Sequence, residues 1–240
     1  FVVTTVAPLA VLSADDEAVS RAGRTLGKPV IWFSLQPPSP WLSEQIAGGG
    51  RAYLWEDGSL MRREGGACEK LLDLDELPMG LGGAARHNVA NALAAAAIAE
   101  GLGFALEAIV AGLRNFRGDD ADNPGRMNRF QVGGAEVIVD FAHNPHGLEA
   151  MLSMACALPA KRRLVLLGQA GDRDDEAIGE LARLSATSGF DHVILKDMEG
   201  HRRGREKGEV VDLLARELKE AGFPLERCSR TQSEAAGVEQ

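Results

Sequence analysis

The sequence is poor in cysteine and has no long apolar run, and each scarcity excludes a class of protein. Three cysteines among 240 residues, without any CxxC pair, indicate neither a disulfide framework nor a zinc site. The most apolar run, residues 89–99, is shorter than the ~20 residues that a membrane-spanning helix requires. We therefore expect reduced thiols, no membrane contact and a cytoplasmic location.

Basic residues are outnumbered by acidic ones, which gives a formal net charge of −9. This balance argues against a general nucleic-acid binder, which would carry a basic face. The length suits one large domain or two smaller ones, and a homo-oligomer is compatible with it. Because the chain opens at Phe1 on the apolar stretch FVVTTVAPLA, we expect a fragment or a processed piece.

The first half of the chain mixes strand and helix patterns. Residues 10–34 predict strand, helix, strand, and Asp57-Gly58 between two alternating runs predicts a tight hairpin. An alanine-rich helix follows from Arg86 and stops near Gly101. The next helix is predicted to carry one apolar face, formed by Leu106, Ile109, Val110, Leu113 and Phe116.

The polar, aperiodic segment RGDDADNPGR, residues 117–126, predicts a domain boundary, which we place between residues 1–118 and 119–240. Beyond it, a hairpin turning at Gly133-Gly134 precedes alternating helices and strands. This alternation predicts an α/β domain with a mostly parallel sheet and helices on both faces.

Ligands of open α/β sheets bind at the carboxyl ends of the strands. Three predicted strands of the second domain end in polar segments, namely HNPHG, QAGDRDDE and DMEGHRRGR. We expect these three segments to lie on the same edge of one sheet and to form a site.

The segment DFAHNPHG offers two interpretations. Asp140, at the end of an apolar run, can accept hydrogen bonds from sugar hydroxyls, and His143 can donate or accept them. The helix that begins at Pro145 would favour an anion at its N-terminus. Alternatively, Asn144 caps that helix, Pro145 opens it and His143 is an ordinary turn residue.

Two arginines, Arg173 and Arg126, could either bind a ligand or be ordinary surface residues. Arg173 could grip a carboxylate or phosphate with two donors, or form a weak surface ion pair beside a cap made by Asp172 or Asp174. Arg126 could contact a nucleotide bound between two domains, or be a solvated linker residue.

Two asparagines and a basic cluster complete the candidates. Asn88 and Asn91, three residues apart on one helix face, could read a purine edge, or Asn88 could cap the helix while Asn91 faces water. The cluster HRRGREK, residues 201–207, is a solvated loop by default, or attracts an acidic polymer or substrate.

In order along the chain, AVLSADD, GGAARHNVANALAAAA, NPGRMN, VDFAHNP, GDRDD and LKDMEGHRRGR resemble the latter part of Mur ligases. The resemblance runs from about residue 10 to near the end and is nearest to the C-terminal region of the cyanophycin synthetase branch. It implies the C-terminal part of a P-loop-type ATPase domain, followed by a Rossmann-like α/β domain.

The resemblance also implies a reaction and a set of roles. Such ligases activate a carboxylate with ATP and Mg²⁺ as an acyl phosphate, which an amino-acid or peptide amine then attacks. By motif, Asn88 and Asn91 would lie near adenine, Asp140 would hold the ribose, and Arg126 would lie near ribose and phosphates. His143 would border the nucleotide, and Asp172 and Arg173 would help to bind the amino-acid substrate.

One departure limits the function that we expect of the chain. The family's Gly-Lys-Thr loop and its upstream magnesium ligands have no counterpart, so we expect no catalytic or metal-binding residue here and an inactive fragment of an active ligase. Alternatives are a degenerate, non-catalytic module that binds a nucleotide or partner, and a ligase for peptidoglycan precursors or folylpolyglutamate. A dinucleotide enzyme is disfavoured, because no GxGxxG follows a strand.

Overall fold

A computed structural model describes residues 8–121 and 123–239 of the chain. The chain divides into two compact units, residues 1–122 and 123–240, here called the N-terminal and the C-terminal unit. The division lies within the polar segment 117–126, a few residues beyond the boundary that we placed after residue 118. Each unit has a hydrophobic core of its own.

The N-terminal unit is built on a five-stranded mixed sheet. Its strands are β1 (Ala10–Ser13), β2 (Val30–Ser34), β3 (Arg51–Glu56), β4 (Ser59–Glu64) and β5 (Ala67–Asp73). Its helices are α1 (Glu17–Arg24), α2 (Pro40–Ala47), α3 (Arg86–Gly101) and α4 (Leu106–Asn115), and short 3-10 turns span Leu74–Glu76 and Pro78–Gly83. The sheet order is β1-β2-β3-β4-β5, with β1 to β3 parallel and β3 to β5 antiparallel.

Alternation along the strands divides the core of this unit between the two faces of the sheet. Ile31 packs with α3 on one face, whereas its neighbour Trp32 packs with α2 on the other. The predicted hairpin is confirmed, since Asp57 and Gly58 connect β3 to β4 with φ of 46° and 76°. Both values are positive, as a type I′ turn requires. Helix α2 and strand β5 were not predicted.

One expectation about the α4 face is wrong. Leu106, Ile109, Val110 and Leu113 contribute to the core, but Phe116 is 45% exposed. The physical reason is that α4 ends at Asn115. Phe116 therefore has an extended backbone and does not continue the buried face of the helix.

A charged network ties α3 to the sheet. The carboxylate of Glu100 accepts hydrogen bonds from the Tyr53 hydroxyl at 2.9 Å and from Arg62 Nη2 at 2.6 Å. Burial opposes ionisation of Glu100, but these hydrogen bonds outweigh it and hold the pKa of the carboxyl below its usual value. Burial, together with the neighbouring Glu100, raises the pKa of the Tyr53 hydroxyl.

The C-terminal unit begins with a hairpin and continues as alternating helix and strand. Its strands are β6 (Asn128–Val132), β7 (Ala135–Val139), β8 (Leu164–Gly168), β9 (His192–Lys196) and β10 (Cys228–Thr231). Its helices are α5 (Pro145–Ala157), α6 (Asp175–Thr187), α7 (Glu209–Glu220) and α8 (Glu234–Val238), and 3-10 turns span Glu199–His201 and Leu225–Arg227. Strands β8, β9 and β10 are parallel in the order β10-β9-β8, so the predicted α/β class with a parallel sheet is confirmed.

The hairpin β6–β7 forms a separate two-stranded sheet in residues 123–239. The expectation that three polar strand ends share one sheet edge is therefore wrong for the end of β7 and correct for the ends of β8 and β9. The chain of this hairpin turns at Gly133 and Gly134, whose φ values are 56° and 84°. Within residues 8–121 and 123–239, no helix has the length and apolar character needed to cross a membrane.

Candidate functional site

Asp140 follows β7 and joins two segments of the C-terminal unit. Its Oδ2 accepts a hydrogen bond from the Met127 amide at 2.9 Å, and its Oδ1 accepts one from the Ala142 amide at 2.8 Å. The side chain is only half-buried. Because each carboxylate oxygen has two acceptor positions, capacity remains for further donors such as sugar hydroxyls.

The loop before β6 is shaped by a buried asparagine. Asn128, which is 3% exposed, accepts a hydrogen bond from the Gly125 amide at 2.6 Å and donates one to the Asn123 carbonyl at 3.0 Å. Gly125 and Met127 have φ of 73° and 54°, and Met127 is held in this unfavourable region by its bond to the Asp140 carboxylate. The backbone that carries Arg126 is thus fixed on both sides.

Arg126, Phe141 and His143 stack beside Asp140. The Arg126 guanidinium lies 5.2 Å from the centre of the Phe141 ring, and the His143 ring centre lies 4.9 Å from it. Phe141 is 59% exposed, so the stack is open to solvent. Arg126 and His143, two of the residues expected near the nucleotide, therefore meet at Phe141, a residue that the sequence motifs had not singled out.

Capping is confirmed at the start of α5. Asn144 Oδ1 accepts a hydrogen bond from the Gly147 amide at 2.8 Å, and Pro145 occupies the first helical position. His143 Nδ1 lies 3.3 Å from the Phe141 carbonyl, which fits the turn interpretation, and its ring also contacts the Phe141 ring.

Asn88 and Asn91 lie in the first turns of α3, in the N-terminal unit. Asn88 Nδ2 donates to the Met79 carbonyl at 3.2 Å, and Asn91 Nδ2 donates to Asn88 Oδ1 at 3.4 Å. The capping role weighed for Asn88 is wrong, because the helix begins at Arg86 with Ala85 as its N-cap. Asn91 is exposed.

In the segment after β8, two aspartates make structural contacts, whereas two other charged residues are exposed. Asp174 caps α6 by accepting the Ala177 amide at 2.8 Å, and Asp175 forms an ion pair with Arg205 at 2.8 Å. Asp172 and Arg173 are exposed. Capping thus falls to Asp174 rather than Asp172, and the surface ion pair weighed for Arg173 is absent from residues 123–239.

Two of the three arginines in the basic cluster after β9 form ion pairs. Arg202 lies 3.3 Å from Glu199 and 3.6 Å from Asp197, and Arg205 lies 3.0 Å from Glu209. These contacts neutralise two arginines, whereas Arg203 and Lys207 are exposed, as the solvated-loop interpretation expects. For metals, the described residues contain no group of three or more His, Cys, Asp or Glu side chains that could hold an ion.

Comparison with known proteins identifies relatives of this chain. Residues 125–240 match the family described as Mur ligase, glutamate ligase domain. Over 86% of its length the chain is 34% identical to cyanophycin synthetase of Trichormus variabilis, of which it covers 23%. Over 89% of its length it is 33% identical to UDP-N-acetylmuramate–L-alanine ligase of Halorhodospira halophila, of which it covers 42%.

A solved structure supports the same fold. Folylpolyglutamate synthase of Mycobacterium tuberculosis, complexed with ADP and AMPPCP, aligns with 97% of this chain and 56% of its own, with a TM-score of 0.58 and 20% identity. The likeness concerns the fold. As the sequence motifs predicted, residues 125–240 belong to the Mur ligase family and correspond to its glutamate ligase domain.

Proposed function

We propose that the chain is a portion of an ATP-dependent ligase that forms an amide bond between a carboxylate and an amino-acid amine, as in cyanophycin synthetase. The observation that carries this choice is the 34% identity to cyanophycin synthetase across 86% of the chain. Because the chain spans 23% of that relative, the activity belongs to a longer protein that contains it.

The reaction has two steps. A carboxylate oxygen of the first substrate takes the γ-phosphoryl group of ATP, which releases ADP and leaves an acyl phosphate. The amine nitrogen then attacks the acyl carbon, phosphate departs, and the nitrogen loses a proton to give the amide. Such transfers depend mainly on positioning and charge stabilisation rather than on covalent chemistry by the protein.

The C-terminal unit would contact the ribose and phosphates of the nucleotide. Asp140 has acceptor capacity for ribose hydroxyls, and Arg126 supplies a guanidinium that can donate two parallel hydrogen bonds to phosphate oxygens. His143 borders the same surface through its contact with Phe141.

The N-terminal unit would contact the adenine through its two asparagine amides. Asn91 is exposed, and one of its amide hydrogens is directed to Asn88. Its oxygen and second amide hydrogen match the donor and acceptor pattern of a purine edge.

Asp172 and Arg173 would bind the amino-acid substrate. Their opposite charges suit the ammonium and carboxylate groups of a zwitterion, and both side chains are exposed.

Magnesium accompanies ATP in this reaction class, where it neutralises the phosphates. The described residues offer no cluster of acidic or histidine ligands for it.

The nucleotide assignment is tested by titrating the purified chain with ADP in a calorimeter. We expect Arg126→Ala to raise the Kd about tenfold or more, because it removes a charge-assisted contact. Arg162→Ala, which removes an exposed arginine of the same unit, should change the Kd less than about twofold. Equal affinities in all three proteins would remove Arg126 from the nucleotide site.

The ligase assignment is tested by ADP release from ATP with aspartate, arginine, glutamate or alanine. The longer protein should release ADP only when its amino-acid substrate is present, and the chain alone should release none. Turnover by the chain alone would contradict its assignment as a portion. ADP binding without amino-acid-dependent turnover in the longer protein would favour the non-catalytic nucleotide-binding module.

A further inference from the structure

The segments that follow β8 and β9 are joined backbone to backbone. The Gly171 amide donates to the His201 carbonyl at 2.9 Å. A Cβ atom at position 171 would overlap the carbonyl oxygen of Arg202, so the approach requires glycine. The segment 169–174 is therefore braced by the segment 197–208.

Arg205 completes this brace with its guanidinium fork. Its Nε donates to the Gly171 carbonyl at 3.0 Å, and its Nη2 donates to the Arg173 carbonyl at 2.8 Å. Asp175 and Glu209 pair with the same guanidinium at 2.8 and 3.0 Å. The Arg205 side chain is 17% exposed, so these donors are largely shielded from water.

The two carbonyls that Arg205 holds lie on either side of Asp172. Fixing both restricts the peptide planes that determine the directions of the Asp172 and Arg173 side chains. Those two side chains are exposed and make no hydrogen bond or ion pair with the rest of residues 123–239. Charged side chains on an anchored backbone can meet a ligand at lower entropic cost.

We propose that Arg205 is a positioning residue for the amino-acid subsite, holding the backbone of residues 171–173 so that Asp172 and Arg173 face the substrate. The proposal rests on the proposed function of those two residues. Lysine cannot replace Arg205, because a single ammonium group cannot reproduce a planar fork that reaches two carbonyls and two carboxylates.

The brace is tested in the chain itself by amide hydrogen exchange. Arg205→Lys keeps the charge and should speed exchange of the Gly171 amide about tenfold, with faster exchange throughout peptides covering residues 169–174. Arg203→Lys, at an exposed position in the same cluster, should leave these peptides unchanged. Unchanged exchange in Arg205→Lys would overturn the inference without touching the proposed ligase activity.

The consequence for substrate binding is tested by a double-mutant cycle in the longer ligase. The KM is measured for whichever amino acid, among aspartate, arginine, glutamate and alanine, supports the fastest ADP release. Arg173→Ala should raise this KM about tenfold or more, and Arg205→Lys about fivefold, with the KM for ATP unchanged. In a background that carries both Asp172→Ala and Arg173→Ala, Arg205→Lys should add less than about twofold, because it acts through these two side chains.

The outcomes of the cycle separate the two proposals. An unchanged KM in Arg173→Ala would reject the amino-acid role of Arg173. A raised KM in Arg173→Ala with no effect of Arg205→Lys would reject the positioning role alone. Additive effects, or equal rises in the KM for ATP, would indicate that Arg205 merely supports the fold.

Discussion

Replacing Asp140 by asparagine should loosen the loop that carries Arg126. The carboxylate accepts the Met127 amide at 2.9 Å and the Ala142 amide at 2.8 Å. An asparagine oxygen can keep one of these bonds, but its NH₂ group then faces the other N–H. One hydrogen bond to a charged acceptor, about 1.5–3 kcal/mol, is lost.

Two further considerations set the expected size of the effect. Asp140 is half-buried, so water replaces part of the lost bond, which lowers the expected cost to about 1–2 kcal/mol. The φ of 54° at Met127 favours release of the loop, because this conformation is unfavourable for a residue other than glycine. A loss of about 1.4 kcal/mol corresponds to a tenfold larger open population.

Amide hydrogen exchange of the Met127 and Ala142 amides measures this directly. We expect about tenfold faster exchange in Asp140→Asn, together with weaker binding of ADP. Asp212→Asn is the matched control, since Asp212 forms an exposed ion pair with Arg230 at 2.7 Å and its loss should cost under about 0.5 kcal/mol. Equal exchange rates of both amides in Asp140→Asn and in the unchanged chain would show that the Asp140 carboxylate does not hold this loop.

Two other predictions concern the charged network of the N-terminal unit and the stacked site of the C-terminal unit. Glu100→Gln should lower the free energy of unfolding by about 2 kcal/mol at neutral pH in urea titrations, because Arg62 and Tyr53 lose a largely buried anionic partner. Folding lowers the pKa of Glu100. Its contribution to the free energy of unfolding is therefore complete above its unfolded pKa of about 4.3 and is lost as the pH falls through the lower pKa of the folded state. In Glu100→Gln, the free energy of unfolding should therefore fall less steeply as the pH is lowered. The same pH dependence in the variant and the unchanged chain would contradict the network. Phe141→Leu should weaken ADP binding about threefold to fivefold by removing the contact beneath Arg126, whereas Phe141→Trp should retain affinity; calorimetry that shows equal losses would count against the stack.

Local signals in the sequence predicted the elements whose geometry is set by neighbouring residues. Asp57-Gly58 predicts its hairpin because the turn itself requires two positive φ values, and Asn144-Pro145 predicts the start of α5. Helix α2 was missed because the prolines before it were interpreted only as breakers. Pro40 in fact occupies a first-turn position, where its missing N–H costs nothing.

Contacts between distant segments could not be predicted in the same way. Arg205 reaches Gly171 across 34 positions of the chain, and that contact exists only because β8 and β9 are adjacent parallel strands. The link between Asp140 and Met127 likewise depends on the β6–β7 hairpin bringing its two ends together. The motifs therefore name candidate ligand-binding residues, whereas the pairing of strands determines which segments hold them in place.

The close approach at Gly171 constrains how this chain can acquire a new specificity. Because the Arg202 carbonyl leaves no room for a side chain at position 171, a replacement for residues 169–174 must keep glycine there while residues 197–208 are unchanged. Grafts that exchange these segments with those of a relative should transplant residues 169–174 and 197–208 as a pair. A chimera that carries one of them alone would press an unmatched backbone or side chain against position 171 or the Arg202 carbonyl.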